Sequence, residues 1–161
     1  MFKKILIANR GEIAVRIIRT CREMGIRTVA LYEISDRDSL HVRLADDSVQ
    51  LPSHHSFMDQ DTILSVAVEQ RVDAIHPGYG FLAEAAGFIR ACEAAGIAFI
   101  GPPADVVEAA RNKIGALEKA RAAGFQTVVH SPRSYNENEF DALAAEAATI
   151  GYPLVVKSCR G

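Results

Sequence analysis

Tryptophan is absent from this 161-residue chain, cysteine occurs only three times, and aromatic residues make up 7%. A core built without such bulk has to be aliphatic, and the 49% of hydrophobic residues supply one of the kind α/β domains use. Cys21, Cys92 and Cys159 are odd in number, widely spaced and without a C-x-x-C pair. That spacing argues against a disulfide framework or a zinc site and fits reduced thiols. Cys21 and Cys92 fall inside amphipathic helical patterns and read as small core residues. An excess of either charge is also missing: 18 Lys and Arg stand against 20 Asp and Glu, for a net charge of −2. The electrostatic footprint of a nucleic-acid binder is therefore lacking. No apolar run approaches the roughly 20 residues of a membrane span. Phe2-Lys3-Lys4 followed by five residues is too short for a signal peptide, so a cytoplasmic or organellar-soluble chain is expected. Internal repeats and low-complexity segments are missing too. The length suits one domain, or one plus a fragment.

What is present is alternation. Lys4–Ala8 is a short continuous apolar run, as in a buried parallel strand. Apolar residues at Ile13, Ile17, Cys21 and Met24 mark a helix over 12–24, which Gly25 ends. Further strands are expected at 27–32, 48–51, 72–75 and 98–100. A short helical turn is expected at 40–45, and 52–60 reads as loop. Helices are expected from Asp61, as cap, to about 69, and from 83 to 95 before Gly96. This βαβ series predicts a doubly wound parallel sheet. Beyond Gly101-Pro102-Pro103 the character changes. Residues 105–123 are alanine-rich and read as one or two helices. Residues 126–129 read as an edge strand, 138–150 as a helix and 153–157 as a strand.

The most informative segment is His76-Pro77-Gly78-Tyr79-Gly80-Phe81-Leu82-Ala83-Glu84-Ala85. It follows a strand and leads into a helix, the position where open α/β sheets bind ligands. Pro77 restricts φ, while Gly78 and Gly80 let backbone approach a ligand closely with the Tyr79 ring over it. A tight turn with a packing tyrosine is the structural alternative. His76 at a strand end reads more readily as a structural histidine than a catalytic one, because nothing pairs it with a nucleophile or second metal ligand. His54-His55 lies in a loop and offers little as a metal site; none is expected. The first βα turn, Asn9-Arg10-Gly11-Glu12, has one of the three glycines a dinucleotide fingerprint needs, so Glu33 does not read as a ribose-binding acid. Gly11 instead allows the turn, and Glu12 sits near the positive end of a helix dipole. Arg16, Arg19 and Glu23 share a polar helix face, with Arg19 and Glu23 one turn apart as a candidate surface pair. Lys113 and Lys157 are by themselves surface lysines, although a strand-end ammonium also suits phosphate.

Several of these segments occur together, in order and spacing, in one family. Ile7-Ala8-Asn9-Arg10-Gly11-Glu12-Ile13-Ala14, Leu40-His41-Val42 with Ala45-Asp46, the His76–Ala85 turn and Phe99-Ile100-Gly101-Pro102 resemble the N-terminal part of biotin carboxylases. Residues 150–157, IGYPLVVK, resemble the family strand whose lysine contacts ATP phosphates. The resemblance implies ATP contacts at Lys113 and Lys157, proximity of Tyr79 and Gly80 to biotin with Glu84 beside them, and a homodimer contact at Arg19 and Glu23. It implies a pre-ATP-grasp domain over 1–104, a helical connector over 105–125 and the start of an ATP-grasp domain over 126–161. ATP, magnesium and carrier-bound biotin are the implied cofactors and substrate. The biotin carboxyl carrier domain and a carboxyltransferase are the implied partners, with neither nucleic acid nor membrane.

The chain also departs from that pattern. Ala83 and Ala85 stand where the family has Ser and Asn. Arg111-Asn112 replaces Gly-Asp, Gly124-Phe125-Gln126 replaces Gly-Val-Pro, and Ser158-Cys159-Arg160-Gly161 replaces a glycine-rich loop. No acidic magnesium site, bicarbonate-binding arginine or catalytic glutamate is recognisable, so no catalytic residue is expected in this chain and the chain alone is expected to be inactive. Two alternatives stay open at this level: a non-catalytic association module of the same fold, and another ATP-grasp ligase of the carbamoyl-phosphate synthetase type.

Overall fold

The structure is a computed structural model that describes residues 1–52 and 56–158. His54, His55, Cys159, Arg160 and Gly161 lie outside the described residues. Two compact units divide the chain, Met1–Ala104 and Asp105–Gly161.

The first unit is a five-stranded parallel sheet. Its elements run β1 (Lys4–Ile7), α1 (Gly11–Glu23), β2 (Arg27–Tyr32), α2 (Leu40–Leu44), β3 (Asp47–Gln50), α3 (Gln60–Glu69), β4 (Ala74–His76), α4 (Ala86–Ala94) and β5 (Ala98–Phe99). The strand order is β3-β2-β1-β4-β5. Successive strands therefore step outward on one side of β1 and then on the other, which makes the gap between the β1 and β4 carboxyl ends the topological switch point.

Strand periodicity sorts the core into two layers. Leu6, Val29, Leu31 and Ile75 join Ile63 and Ala67 of α3 and Phe88 and Cys92 of α4 in one cluster. On the opposite face Ile5 and Ala74 pack with Cys21 and Ile26, and Ile7 packs with Ala14 and Ile18 of α1. Every one of these side chains is buried. Burial raises the Cys21 thiol and pushes Cys92 up to about 11, so both sulfurs act as small apolar groups.

Beyond shifts of one or two residues at strand and helix ends and a 3-10 turn at Ser56–Met58 inside the expected loop, three details of this unit differ from expectation. The cap of α3 is Asp59, not Asp61: its carboxylate accepts from the Thr62 amide at 3.1 Å and the Thr62 hydroxyl at 2.6 Å, a reach that fits only from outside the first turn. Residues 83–85 are not part of α4. Phe81–Glu84 form a single 3-10 turn, and Ala85 (φ −95°, ψ 86°) leaves the helical region before α4 begins. The Arg19–Glu23 pair does not form, since among the described residues no ion pair joins them; two exposed long side chains gain little by pairing.

The second unit holds α5 (Ala104–Arg111, beginning at the boundary), α6 (Lys113–Ala122) and α7 (Phe140–Ile150). Asn112 caps α6, its side chain accepting from the Gly115 amide at 3.0 Å. The expected strands at 126–129 and 153–157 are absent: neither segment is assigned to a strand. Their composition suits a strand, but a strand exists only through ladder hydrogen bonds to a neighbour, and no described residue supplies one.

Candidate functional site

β1 and β4 deliver two short segments to the switch point. Ala8 closes the ladder, its amide bonding to the His76 carbonyl at 2.9 Å, and the chains then part. From the β1 side, the Asn9 side-chain amide donates to the Pro77 carbonyl at 2.7 Å and the Tyr79 carbonyl at 2.9 Å. Its own oxygen accepts from the Arg10 amide at 2.8 Å. From the β4 side, His76 Nδ1 accepts from the Gly78 amide at 3.0 Å, which makes Nε2 the protonated nitrogen of a neutral ring. Burial lowers the His76 pKa in the same direction. The ring thereby helps to hold the backbone of the turn.

The turn that results is exposed at its tip. Tyr79 keeps 68% of its surface and Phe81 73%. The Tyr79 hydroxyl donates to Glu12 Oε1 at 3.1 Å, and that bond to a carboxylate raises the phenol pKa. The packing-tyrosine alternative does not describe this ring, whose faces meet solvent. Gly78 (φ 66°) and Gly80 (φ 111°) both take backbone conformations that side chains disfavour. Glu84 lies exposed in the adjoining 3-10 turn.

Beside the turn, Arg10 spans two acids from the end of β2. Its guanidinium lies 3.5 Å from Glu33 and 2.5 Å from Asp36, and 6.0 Å from the centre of the Phe57 ring. Glu33 is buried by this arrangement, so Arg10 meets the acid placed like a ribose ligand. His41 is fully buried nearby in sequence, with Nε2 3.3 Å from the Leu31 carbonyl. Its pKa is lowered chiefly by that burial. Asn9 as a loop anchor and the Arg10–Glu33–Asp36 group do not stand out from sequence. The available signal is an amide side chain directly after a buried strand, next to an arginine.

In the second unit Lys113 opens α6 and Lys157 lies in an irregular segment; both are exposed, and neither makes a side-chain hydrogen bond or ion pair among the described residues. A groove of about 610 Å³ carries Arg111, Asn112 and Arg133. Asn112 keeps the capping role that an Asp there would have, since the two cap equally well. Among the described residues no group of three or more His, Cys, Asp or Glu side chains is arranged to hold a metal ion, and no helix is long and apolar enough to cross a membrane. Arg19 and Glu23 are exposed on α1, and Arg16 on the same face bonds the Thr20 hydroxyl.

Comparison with known proteins connects this geometry to a family. Residues 1–107 match the family described as Biotin carboxylase, N-terminal domain. The biotin carboxylase of Halalkalibacterium halodurans is 49% identical over 164 residues, covering 100% of this chain and 36% of that protein. The mitochondrial methylcrotonoyl-CoA carboxylase subunit alpha of Glycine max is 43% identical over 162 residues, covering 99% of this chain and 22% of that protein. Among solved structures, the biotin carboxylase domain dimer of Hydrogenobacter thermophilus 2-oxoglutarate carboxylase, in complex with MgADP, ADP and bicarbonate, superposes with a TM-score of 0.91 at 42% identity. It covers 100% of this chain and 36% of that one. The chain thus spans about a third of the length of the biotin carboxylases it matches.

Proposed function

The chain belongs to the biotin carboxylase family, and from that premise we propose that it contributes one wall of a site that carboxylates carrier-bound biotin, using bicarbonate and MgATP. The observation that carries this reading is the Pro77–Phe81 turn at the switch point, with an exposed Tyr79 ring beside Gly80. A flat ring next to side-chain-free backbone is suited to a small bicyclic ligand on a flexible tether. Tyr79 and Gly80 are the biotin-facing pair, with Glu84 at their edge. Lys113 and Lys157 supply point charges to the ATP phosphates, and their exposed ammonium groups, without a partner among the described residues, suit that role. Phosphoryl transfer of this kind rests on positioning and on cation electrostatics. Residues 1–104 act as the pre-ATP-grasp domain, 105–125 as a connector and 126–161 as the start of the ATP-grasp domain. Arg19 and Glu23 serve a homodimer contact, as their exposed helix face allows. The carrier domain and a carboxyltransferase are the partners, and the cytoplasm is the site of action. By itself the chain does not turn over.

The test is a biotin carboxylase in which residues 1–161 replace the matching segment of the Halalkalibacterium halodurans protein, assayed by biotin- and bicarbonate-dependent ADP release. Activity is expected, and Tyr79→Ala is expected to raise the KM for biotin about tenfold with the KM for ATP unchanged. A hybrid that hydrolyses ATP without biotin dependence, or a Tyr79→Ala variant with unaltered KM for biotin, would overturn the proposal.

A further inference from the structure

We propose that Asn9 is the positioning residue of the biotin-facing turn: its carboxamide, carried across the switch point by β1, holds the Tyr79–Gly80 backbone in its ligand-ready form. The inference rests on the biotin-facing role of that turn, and its test separates the two.

A turn whose tip is this exposed has little buried side-chain surface to hold its shape, so hydrogen bonds must do so. Asn9 commits its whole carboxamide. Both donor hydrogens go to carbonyls on either side of Gly78, Pro77 at 2.7 Å and Tyr79 at 2.9 Å, and the oxygen accepts from the Arg10 amide at 2.8 Å. The orientation of the amide is therefore set at the base of α1 before it meets the turn. Two carbonyls two residues apart converge on one nitrogen only if the chain reverses between them, which the positive φ of Gly78 accomplishes.

Gly78 is required a second time by proximity. A Cβ there would stand 2.5 Å from Asn9 Nδ2 and 2.8 Å from Ile13 Cγ2, so the turn is seated directly on the anchor. Glu12 adds a third tie through the Tyr79 hydroxyl at 3.1 Å. The first βα turn of the chain, which has one of the three glycines of a dinucleotide fingerprint, thereby serves to anchor the loop of the neighbouring strand. Holding the loop in advance spares a bound ligand the cost of ordering it.

Aspartate at position 9 keeps the size and the acceptor of Asn9 but has no hydrogen to donate. Its carboxylate would face two carbonyl oxygens. In the 161-residue chain, Asn9→Asp is expected to speed amide hydrogen exchange at residues 79–82 by about tenfold or more, with β1 and β4 amides changed far less. Titration with free biotin, followed by amide chemical shifts, is expected to move Tyr79 and Gly80 in the wild type and to require about tenfold more biotin in Asn9→Asp. Asn9→Ser, too short to reach both carbonyls, repeats the test should Asn9→Asp not fold.

Unchanged exchange at 79–82 in both variants would overturn the proposal, and so would a loosened turn that binds biotin as tightly as the wild type. A wild-type chain whose Tyr79 and Gly80 do not respond to biotin, while Asn9→Asp still loosens the turn, would overturn the biotin reading and leave the anchoring role standing.

Discussion

The two units of this chain form secondary structure for different reasons. In residues 1–104 each strand has a hydrogen-bonded neighbour and each long helix covers a sheet face, so Leu6, Ile7, Ile75 and Phe88 are fully buried. In the second unit α6 and α7 contain no buried residue, and Phe125, Phe140 and Val155 are 68%, 72% and 79% exposed. Alanine-rich sequence favours both helices locally, and Asn112 adds a side-chain cap to α6. Alanine buries little area, and bulkier apolar side chains of this unit such as Phe125, Phe140 and Val155 stay exposed. Helix formation and core formation are thus separable: among the described residues the last buried apolar side chain along the chain is Val107 of α5, and the helices continue to Ile150.

The largest expected effect tests that contrast directly. Phe88→Ala removes a fully buried ring at the centre of the larger cluster and should destabilise the first unit by about 3–5 kcal/mol in urea unfolding, whereas Phe125→Ala should change stability by less than about 0.5 kcal/mol. Equal losses would erase the distinction between the units.

A smaller effect concerns pH and sharpens the description of the first unit. His41 and His76 are both held below the ordinary value of 6.5 by burial. The unfolded chain then binds more protons than the folded one between the native and unfolded values. Their contribution is fully present above pH 6.5 and is lost as the pH falls toward the native pKa values. Stability measured from about pH 7 down to about pH 5 should decline, and His41→Gln should flatten part of that slope. A slope indifferent to His41→Gln would show that this ring does not titrate on unfolding.

The smallest effect concerns a departure from the family pattern. Ala85 stands at the N-cap of α4, which has no side-chain cap. Ala85→Asn should stabilise the chain by about 1 kcal/mol in thermal unfolding. That outcome would mark the change at 85 as one of helix capping rather than of chemistry at the biotin-facing turn. No gain would leave its effect to be sought at the turn.

Legibility follows the range of the interactions involved. The alternation of β1, α1 and β2 is plain in the sequence because their periods are local and strong, and the expected span of β2 matches to the residue. Asp59 is hard to tell from Asp61 because capping is decided by geometry one turn away, and both positions carry the right side chain. The segments at 126–129 and 153–157 look like strands because propensity does not record whether a partner is present. At the site, the glycines and tyrosine of the 76–85 turn stand out in the sequence. Their hold on Asn9, about seventy positions away in the chain, does not.

Composition and periodicity therefore settle the class of the first unit, an aliphatic α/β sheet, and the glycine-and-tyrosine turn at a strand end is legible from its residue types. Those are properties of neighbours along the chain, where side-chain period and backbone preference act directly. Which strands flank the turn, that Asn9 reaches it, that Arg10 meets Glu33 and Asp36, and which apolar residues are buried were decided only by the fold. Each depends on the order in which parallel strands pair, and a strand's own residues leave that order open until the sheet has formed.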